Sequence, residues 1–213
     1  MKNQILRPLH SMAQIVLVFS FVFLTSSPLL SAKGNLTNPS AQVDEFHSVL
    51  LLVMKGADQL GVLGRYRAIE PVLTKVFHLK AMMQIASGSF WKKLSDEDQI
   101  KLLNTFTRLT IATYAAQFDG YSGQVFKTIG TKPGPQDTTL VETQIVNADS
   151  SSVALTYVFR KIKGQWRILD VLLDTGISEL ARKRSEYRKA LMTGGAEALL
   201  LMMNSKTNSL LIN

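Results

Sequence analysis

The chain has 213 residues, of which 46% are hydrophobic, and this is enough to bury the core of a single domain. Lysine and arginine outnumber aspartate and glutamate by 24 to 16, which gives a net charge of +8. Cysteine is absent, and this excludes disulfide bonds, thiolate metal sites and cysteine nucleophiles.

The first 32 residues have the pattern of a secretory signal peptide. Lys2 and Arg7 precede an apolar run at residues 15–24, which is about half as long as the roughly 20 residues needed to span a bilayer. Ala32 supplies a small residue at the cleavage point, although Leu30 is larger than the usual pattern requires. We predict export to the periplasm with cleavage near Ala32. The alternative is an uncleaved membrane anchor.

A polar linker at residues 33–40 is predicted to lead into a helical half of the domain. Gly61 and Gly64 are predicted to break the helical pattern, and Pro71 should kink the helix that follows them, because proline removes an intrahelical hydrogen bond. Ser95 is the predicted N-cap of the longest helix, and the acidic residues after it suit the positive end of the helix dipole. Apolar residues recur three or four apart in four stretches, at residues 41–57, 65–77, 79–87 and 96–118.

After residue 120 the apolar period changes to two, which is typical of β-strands. The clearest of these strands places Val153, Leu155, Tyr157 and Phe159 on one face. A sheet with one apolar face needs helices over that face. The predicted fold is therefore α+β, with helices packed on one face of a roughly four-stranded antiparallel sheet. The predicted strands cover residues 124–129, 140–146, 152–162 and 166–173.

A further helix is predicted after the last strand. Ser178 is its expected N-cap, and Gly194-Gly195 is expected to close it, since glycine tolerates the left-handed conformation. The apolar segment at residues 196–203 is either a buried terminal helix or a lid, and residues 205–213 are expected to form a frayed tail. The domain would then span residues 41–204. The inner stripe of the predicted helix contains Ile177, Leu180, Arg184, Tyr187 and Leu191.

The sequence contains few features that would indicate a catalytic site. His47 and His78 lie outside any metal-ligand spacing, and no nucleophile elbow, phosphate loop or dinucleotide fingerprint is present. If Lys163-Gly164 is a tight hairpin without a bulge, Asp170 pairs with Tyr157 on the apolar face of the sheet. A carboxylate there is either a structural hydrogen-bond acceptor or a base whose pKa is raised by desolvation.

Basic residues cluster on the last predicted helix. A nucleic-acid site is not expected, because an export signal argues against it, and most of these residues should form a solvated face. Arg184 differs because it lies within the apolar stripe, from which it could reach an anionic headgroup at the mouth of a pocket. The cluster contains Arg182, Lys183, Arg184, Arg188 and Lys189.

Four features occur in a fixed order near the end of the chain. They are Gly164 and Trp166 at a strand start, Asp170, Gly176-Ile177-Ser178 before a helix, and Gly194-Gly195. This order resembles the MlaC family of periplasmic lipid-binding proteins, also called the toluene-tolerance family. The run ISELARKRSEY is most similar to its hopanoid-associated branch, HpnM. The resemblance extends back to about Tyr66 and implies that the sheet and helices enclose a cavity for lipid acyl chains.

The resemblance also implies a function and a set of partners. We expect a periplasmic shuttle that carries a phospholipid or a hopanoid-like lipid, works with an inner-membrane transport complex, is a monomer and needs no cofactor besides its cargo. The positive charge fits brief contact with anionic membranes. The residues expected to line the cavity are Val72, Val76, Phe77, Met82, Leu103, Phe106, Tyr114, Val153, Leu155, Tyr157, Phe159, Ile168, Leu172, Ile177, Leu180, Arg184 and Tyr187.

Two other functions remain open on the sequence. One is an enzyme with a cone-shaped α+β fold that uses Asp170 as a base on a hydrophobic substrate. The other is an interaction module whose core is filled and holds no ligand.

Overall fold

The computed structural model describes residues 38–174 and 176–212, so the predicted signal peptide and most of the linker lie outside the described residues. The helices are α1 (Pro39–Lys55), α2 (Ala57–Val76), α3 (Leu79–Ser87), α4 (Asp96–Gln117) and α5 (Glu179–Leu211), with a 3-10 helix at Gly88–Lys93. The strands are β1 (Val125–Gly134), β2 (Thr138–Val146), β3 (Ser152–Ile162), β4 (Gln165–Leu173) and β5 (Ile177–Ser178). The α+β prediction is confirmed, and β5 is a short addition to the four predicted strands.

The strands form one antiparallel sheet in the order β1-β2-β3-β4-β5. The predicted β3–β4 register holds near the hairpin, where Phe159 pairs with Ile168. It then shifts by one residue, so that Val158 pairs with Asp170 and Tyr157 pairs with Val171. The predicted pairing of Asp170 with Tyr157 is wrong, because a β-bulge places an extra residue in β4 and shifts every later partner.

Local sequence features explain where α1 begins and where α2 is interrupted. The side chain of Asn38 accepts hydrogen bonds from the amides of Ser40 and Ala41, so α1 already begins at Pro39. In α2 the residue with non-helical dihedral angles is Gly61, whose φ is 56°. The interruption therefore lies at Gly61, one of the two glycines where a break is predicted, because glycine adopts a positive φ at little steric cost.

The end of the chain is more ordered than the sequence indicated. α5 is interrupted at Gly194 and Gly195 and then continues to Leu211, through most of the predicted tail. Leu199, Met203 and Thr207 follow at four-residue spacing and are all buried. One face of this second half of α5 is therefore packed against the rest of the domain. No helix in the described ranges is both long enough and apolar enough to cross a membrane.

The core lies between the helices and one face of β2, β3 and β4. Phe46 of α1 is at its centre, with ring centroids 5.4 Å from Phe77, 5.3 Å from Tyr114 and 6.4 Å from Tyr157. The α2–α3 junction is fixed to the sheet by a hydrogen bond of 2.9 Å from the amide of His78 to the carbonyl of Ile168. This bond holds Phe77 against β4 and so positions one wall of the site described next.

Candidate functional site

A cavity of about 110 Å³ lies between the sheet and the helices α4 and α5. Its aliphatic and aromatic walls come from β3, β4, the α2–α3 junction and the facing turns of both helices. Thr110 and Thr113 of α4 also line it, and their hydroxyls donate to the carbonyls of Phe106 and Leu109 at 2.8 Å and 2.7 Å, so neither needs a partner inside the cavity. The apolar lining consists of Phe77, Met82, Tyr114, Phe118, Leu155, Tyr157, Val171, Leu173 and Leu180.

Polar residues of α4 and α5 border the same cavity. Gln117 is exposed, and Glu179 and Lys183 lie one turn apart at the start of α5. Glu179 forms an ion pair with Arg182, with 2.8 Å between the charged atoms. Burial lowers the pKa of Lys183, and the positive charge of Arg182 lowers it further. A partly desolvated ammonium at the edge of an apolar cavity is a favourable contact for an anionic group.

Tyr157 connects the cavity wall to α1. Its hydroxyl lies 2.8 Å from Nε2 of His47, and both side chains are buried. Burial lowers the pKa of His47 to about 4, although the nearby Asp44 carboxylate opposes the shift. The imidazole is therefore neutral at pH 7 and holds the tyrosine ring in place. The sequence does not indicate this role of His47, since its partner lies 110 positions away in the chain.

We expect the neutral state of His47 to make the protein less stable in acid. Its pKa is about 4 in the folded protein and about 6.5 in the unfolded chain. The unfolded chain takes up the proton between these values, so stability falls as the pH falls through this window. The loss between pH 7 and pH 4 is about 3 kcal/mol at 1.36 kcal/mol for each pKa unit.

Chemical denaturation of the wild type and His47→Gln at both pH values measures this loss. Glutamine can keep a hydrogen bond to Tyr157 but does not titrate, so the difference between the two proteins isolates the histidine. If the unfolding free energies of the two proteins differ by the same amount at pH 7 and pH 4, His47 is not the source of the loss in acid.

Asp170 lies outside the lining of the cavity and has a structural set of partners. Its carboxylate accepts hydrogen bonds from the amide of Val171 at 2.8 Å, the amide of Leu180 at 2.9 Å and the hydroxyl of Ser178. Burial raises its pKa, while these hydrogen bonds favour the charged form. The side chain therefore ties β4 to the first turn of α5.

The structure brings together about a third of the residues that were predicted to line the cavity. Those in its lining are Phe77, Met82, Tyr114, Leu155, Tyr157 and Leu180. Others are buried in the core outside the lining, namely Val72, Val76, Phe106, Phe159, Ile168 and Tyr187. Leu103 and Leu172 are partly buried, whereas Val153, Ile177 and Arg184 are exposed.

Most of the lining residues outside the predicted set have one of two physical explanations, and the remaining one, Phe118, is the C-cap residue that follows α4. Val171 and Leu173 face the cavity because the bulge in β4 shifts the alternation by one residue, which exchanges the two faces of the strand. Thr110, Thr113, Gln117, Glu179 and Lys183 are polar and were not counted in the apolar stripes of their helices. Among residues 38–174 and 176–212, no group of three His, Asp or Glu side chains is placed to hold a metal ion.

Comparison with known proteins places the chain in a family. The family model described as MlaC protein matches residues 47–205. Among solved structures, the fold is similar to a phospholipid-binding protein from Ralstonia solanacearum in complex with a phospholipid. The TM-score is 0.69 at 21% sequence identity, over 80% of this chain and 97% of that chain. The comparison with curated proteins gives no match. Because the family model covers most of the chain, the protein belongs to the MlaC family.

Proposed function

We propose that this protein is a periplasmic lipid carrier that encloses acyl chains in the cavity between β3, β4, α4 and α5. The observation that carries the proposal is an apolar cavity with a basic group, Lys183, at its polar border. The cargo would be a phospholipid or a hopanoid-like lipid. The phospholipid bound to the Ralstonia solanacearum protein, which has a similar fold, supports the first of these.

The need for such a cavity follows from the chemistry of lipids. Two acyl chains with about 30 methylenes cost on the order of 20 kcal/mol when exposed to water, at ~0.8 kcal/mol each. A lipid that crosses an aqueous compartment must therefore be covered. The cavity of about 110 Å³ is smaller than the ~150 Å³ cavity that accommodates benzene. Lipid entry must therefore move lining side chains apart, and Met82 suits this role because its side chain is flexible.

The headgroup would lie at the polar border, with its phosphate beside Lys183. Ammonium groups donate charge-assisted hydrogen bonds to phosphate oxygens. Glu179 borders the same cavity but is paired with Arg182, which reduces its repulsion of an anion. The headgroup contact is thus assigned to Lys183 rather than to Arg184, which lies elsewhere on α5.

The enzyme alternative is less well supported by the position of Asp170. A general base needs access to the substrate proton, within hydrogen-bond reach. Asp170 instead accepts three hydrogen bonds from its own chain and lies outside the cavity lining. The filled-core alternative predicts no ligand space, so the cavity favours the carrier.

The cellular setting is also a proposal. Family membership and the signal-like pattern with Lys2 and Arg7 support export to the periplasm, with cleavage near Ala32. We propose that the carrier is a monomer that exchanges lipid with an inner-membrane transport complex and contacts membranes briefly. The similarity of residues 177–187 to the HpnM branch supports a hopanoid-like cargo as the second candidate.

Lipid extraction from vesicles tests this proposal. The protein is incubated with vesicles that contain anionic phospholipid, is separated by gel filtration, and its bound lipid is quantified by mass spectrometry. We expect Lys183→Glu to bind about tenfold less lipid than the wild type, since it replaces a charged hydrogen bond by repulsion. Lys189→Glu is the matched control, because it makes the same charge change on α5 outside the cavity lining.

The two parts of the proposal fail in different ways. A wild-type protein that extracts no lipid would contradict the carrier function itself. Equal losses in Lys183→Glu and Lys189→Glu would instead contradict the headgroup contact.

A further inference from the structure

A second concave site lies on α5 away from the cavity and shares none of its lining residues. It is a groove of about 340 Å³ between the end of α3, the 3-10 helix and α5. Its lining includes Ser87, Gly88, Phe90, Arg184, Arg188 and Met192, and we call it the Arg184 groove.

The groove carries two arginines whose charge is not balanced locally. Arg184 and Arg188 are one turn apart on α5, and both are exposed. Within the described part of the chain no carboxylate pairs with either guanidinium, because Glu179 pairs with Arg182 and Glu186 pairs with Lys206. Like charges at this spacing repel each other. An anion between them would relieve that repulsion.

The backbone at Gly88 allows the guanidinium of Arg184 to approach it closely. Gly88 has a φ of 58°, a conformation that favours glycine. A Cβ at this position would lie 3.6 Å from Nη2 and 3.7 Å from Nε of Arg184, so the guanidinium packs directly against the glycine. This contact restrains Arg184 and orients its planar group, which improves its ability to bind an oxyanion through paired hydrogen bonds.

A buried polar group among the residues that line the groove gives an independent indication of a ligand. Ser87 is only 3% exposed, and its hydroxyl has no hydrogen-bond partner among the described residues. Buried hydroxyls in native proteins are nearly always satisfied by protein, water or a ligand. A phosphate oxygen or its hydration water in the groove would supply the missing partner.

Apolar side chains border the charged centre. Met192 is 65% exposed, and Phe90 is partly exposed with the ammonium of Lys93 lying 6.0 Å from its ring centroid. Lys92 is a further exposed cation on the same 3-10 helix. Basic groups beside exposed Met and Phe side chains suit a membrane surface, where cations meet headgroups and apolar groups enter the acyl boundary.

We propose that the Arg184 groove binds the phosphate of an anionic phospholipid that remains in a membrane, and so docks the protein on the membrane surface. This lipid is distinct from the cargo proposed for the cavity. Phe90 and Met192 favour a membrane lipid over a free phosphate ion, which has no apolar part for them to contact. The groove would then dock the protein on the membrane, and the cavity would hold the lipid that the protein carries.

Sedimentation with vesicles of neutral phospholipid, with and without anionic phosphatidylglycerol, tests the docking site. We expect the Arg184→Gln/Arg188→Gln protein to bind the anionic vesicles about tenfold or more weakly than the wild type. Lys127→Gln/Lys161→Gln removes the same charge from the exposed surface of β1 and β3. This control should bind within about twofold of the wild type, since its lysines lie outside the groove.

Equal losses in the two double variants would overturn the proposal, because net charge alone would then explain the attraction. Unchanged vesicle binding by Arg184→Gln/Arg188→Gln would overturn it as well. Titration with inorganic phosphate distinguishes the two sources of the anion. Saturable binding of phosphate alone, lost in the arginine variant while vesicle binding persists, would assign the groove to a free anion and overturn membrane docking.

The amount of lipid that co-purifies with Arg184→Gln/Arg188→Gln distinguishes this proposal from the carrier proposal. The arginine variant should retain wild-type amounts of co-purified lipid, because the groove and the cavity share no lining residue. Loss of cavity lipid in this variant, with vesicle binding intact, would contradict the separate role of the groove.

Discussion

Replacing Thr113 by tryptophan is expected to lower the lipid that co-purifies with the protein about tenfold or more, since burial of only two methylenes is worth this much. Thr113 lines the cavity from α4 and is partly exposed, so an indole there would fill space that the proposed cargo needs. The substitution removes a hydrogen bond from the threonine hydroxyl to its own helix, and such bonds add little to stability. Quantitative mass spectrometry of an organic extract measures the effect.

Thr107→Trp is the matched control for this substitution. Thr107 is also a partly buried residue of α4, and its hydroxyl donates to the carbonyl of Leu103 at 2.8 Å, but it does not line the cavity. Thr107→Trp should keep wild-type lipid content and a similar thermal unfolding midpoint. A Thr113→Trp protein that is folded and retains full lipid content would show that the cargo binds elsewhere.

Phe159→Asp is expected to destabilise the fold by on the order of 4 kcal/mol, because it deletes a buried aromatic ring. The new carboxylate would also be buried without a partner. Phe159 is 0% exposed, lies outside the cavity lining and pairs with Ile168 in the neighbouring strand. The expected loss is a large part of the roughly 5–15 kcal/mol that stabilises a typical domain. Chemical denaturation followed by circular dichroism measures it.

Val153→Asp provides the comparison on the same face of the same strand. Val153 is 38% exposed, so its carboxylate would remain hydrated and should change stability by about 0.5 kcal/mol or less. If Phe159→Asp instead kept the wild-type unfolding free energy and lost only its lipid, the lipid-bound cavity would extend to Phe159, as the sequence predicts.

The fold could be predicted because local patterns and burial agree. In β3, alternation of apolar and polar residues identifies both the strand and its buried face, since one face meets helices and the other does not. The bulge in β4 has no such local signature. It occurs where the amide of His78 binds the carbonyl of Ile168, a contact between residues far apart in the chain.

The border of the cavity was harder to predict than its walls. An apolar stripe on α5 identifies Leu180, but the choice between Lys183 and Arg184 depends on how the helix is rotated. Neighbouring residues of a helix differ by about 100° in direction, at 3.6 residues per turn. Arg184 packs against Gly88 and so lines the Arg184 groove, whereas Lys183 lines the cavity.

The central claim is that the protein carries a lipid in the cavity bordered by Thr113 and Lys183. Native mass spectrometry of protein purified from bacterial cells without detergent tests this most directly. The account predicts a wild-type species heavier than the chain by the mass of a bound lipid, and a Thr113→Trp species at the mass of the chain alone. A wild-type protein at the bare chain mass, with no lipid in its organic extract, would contradict the account.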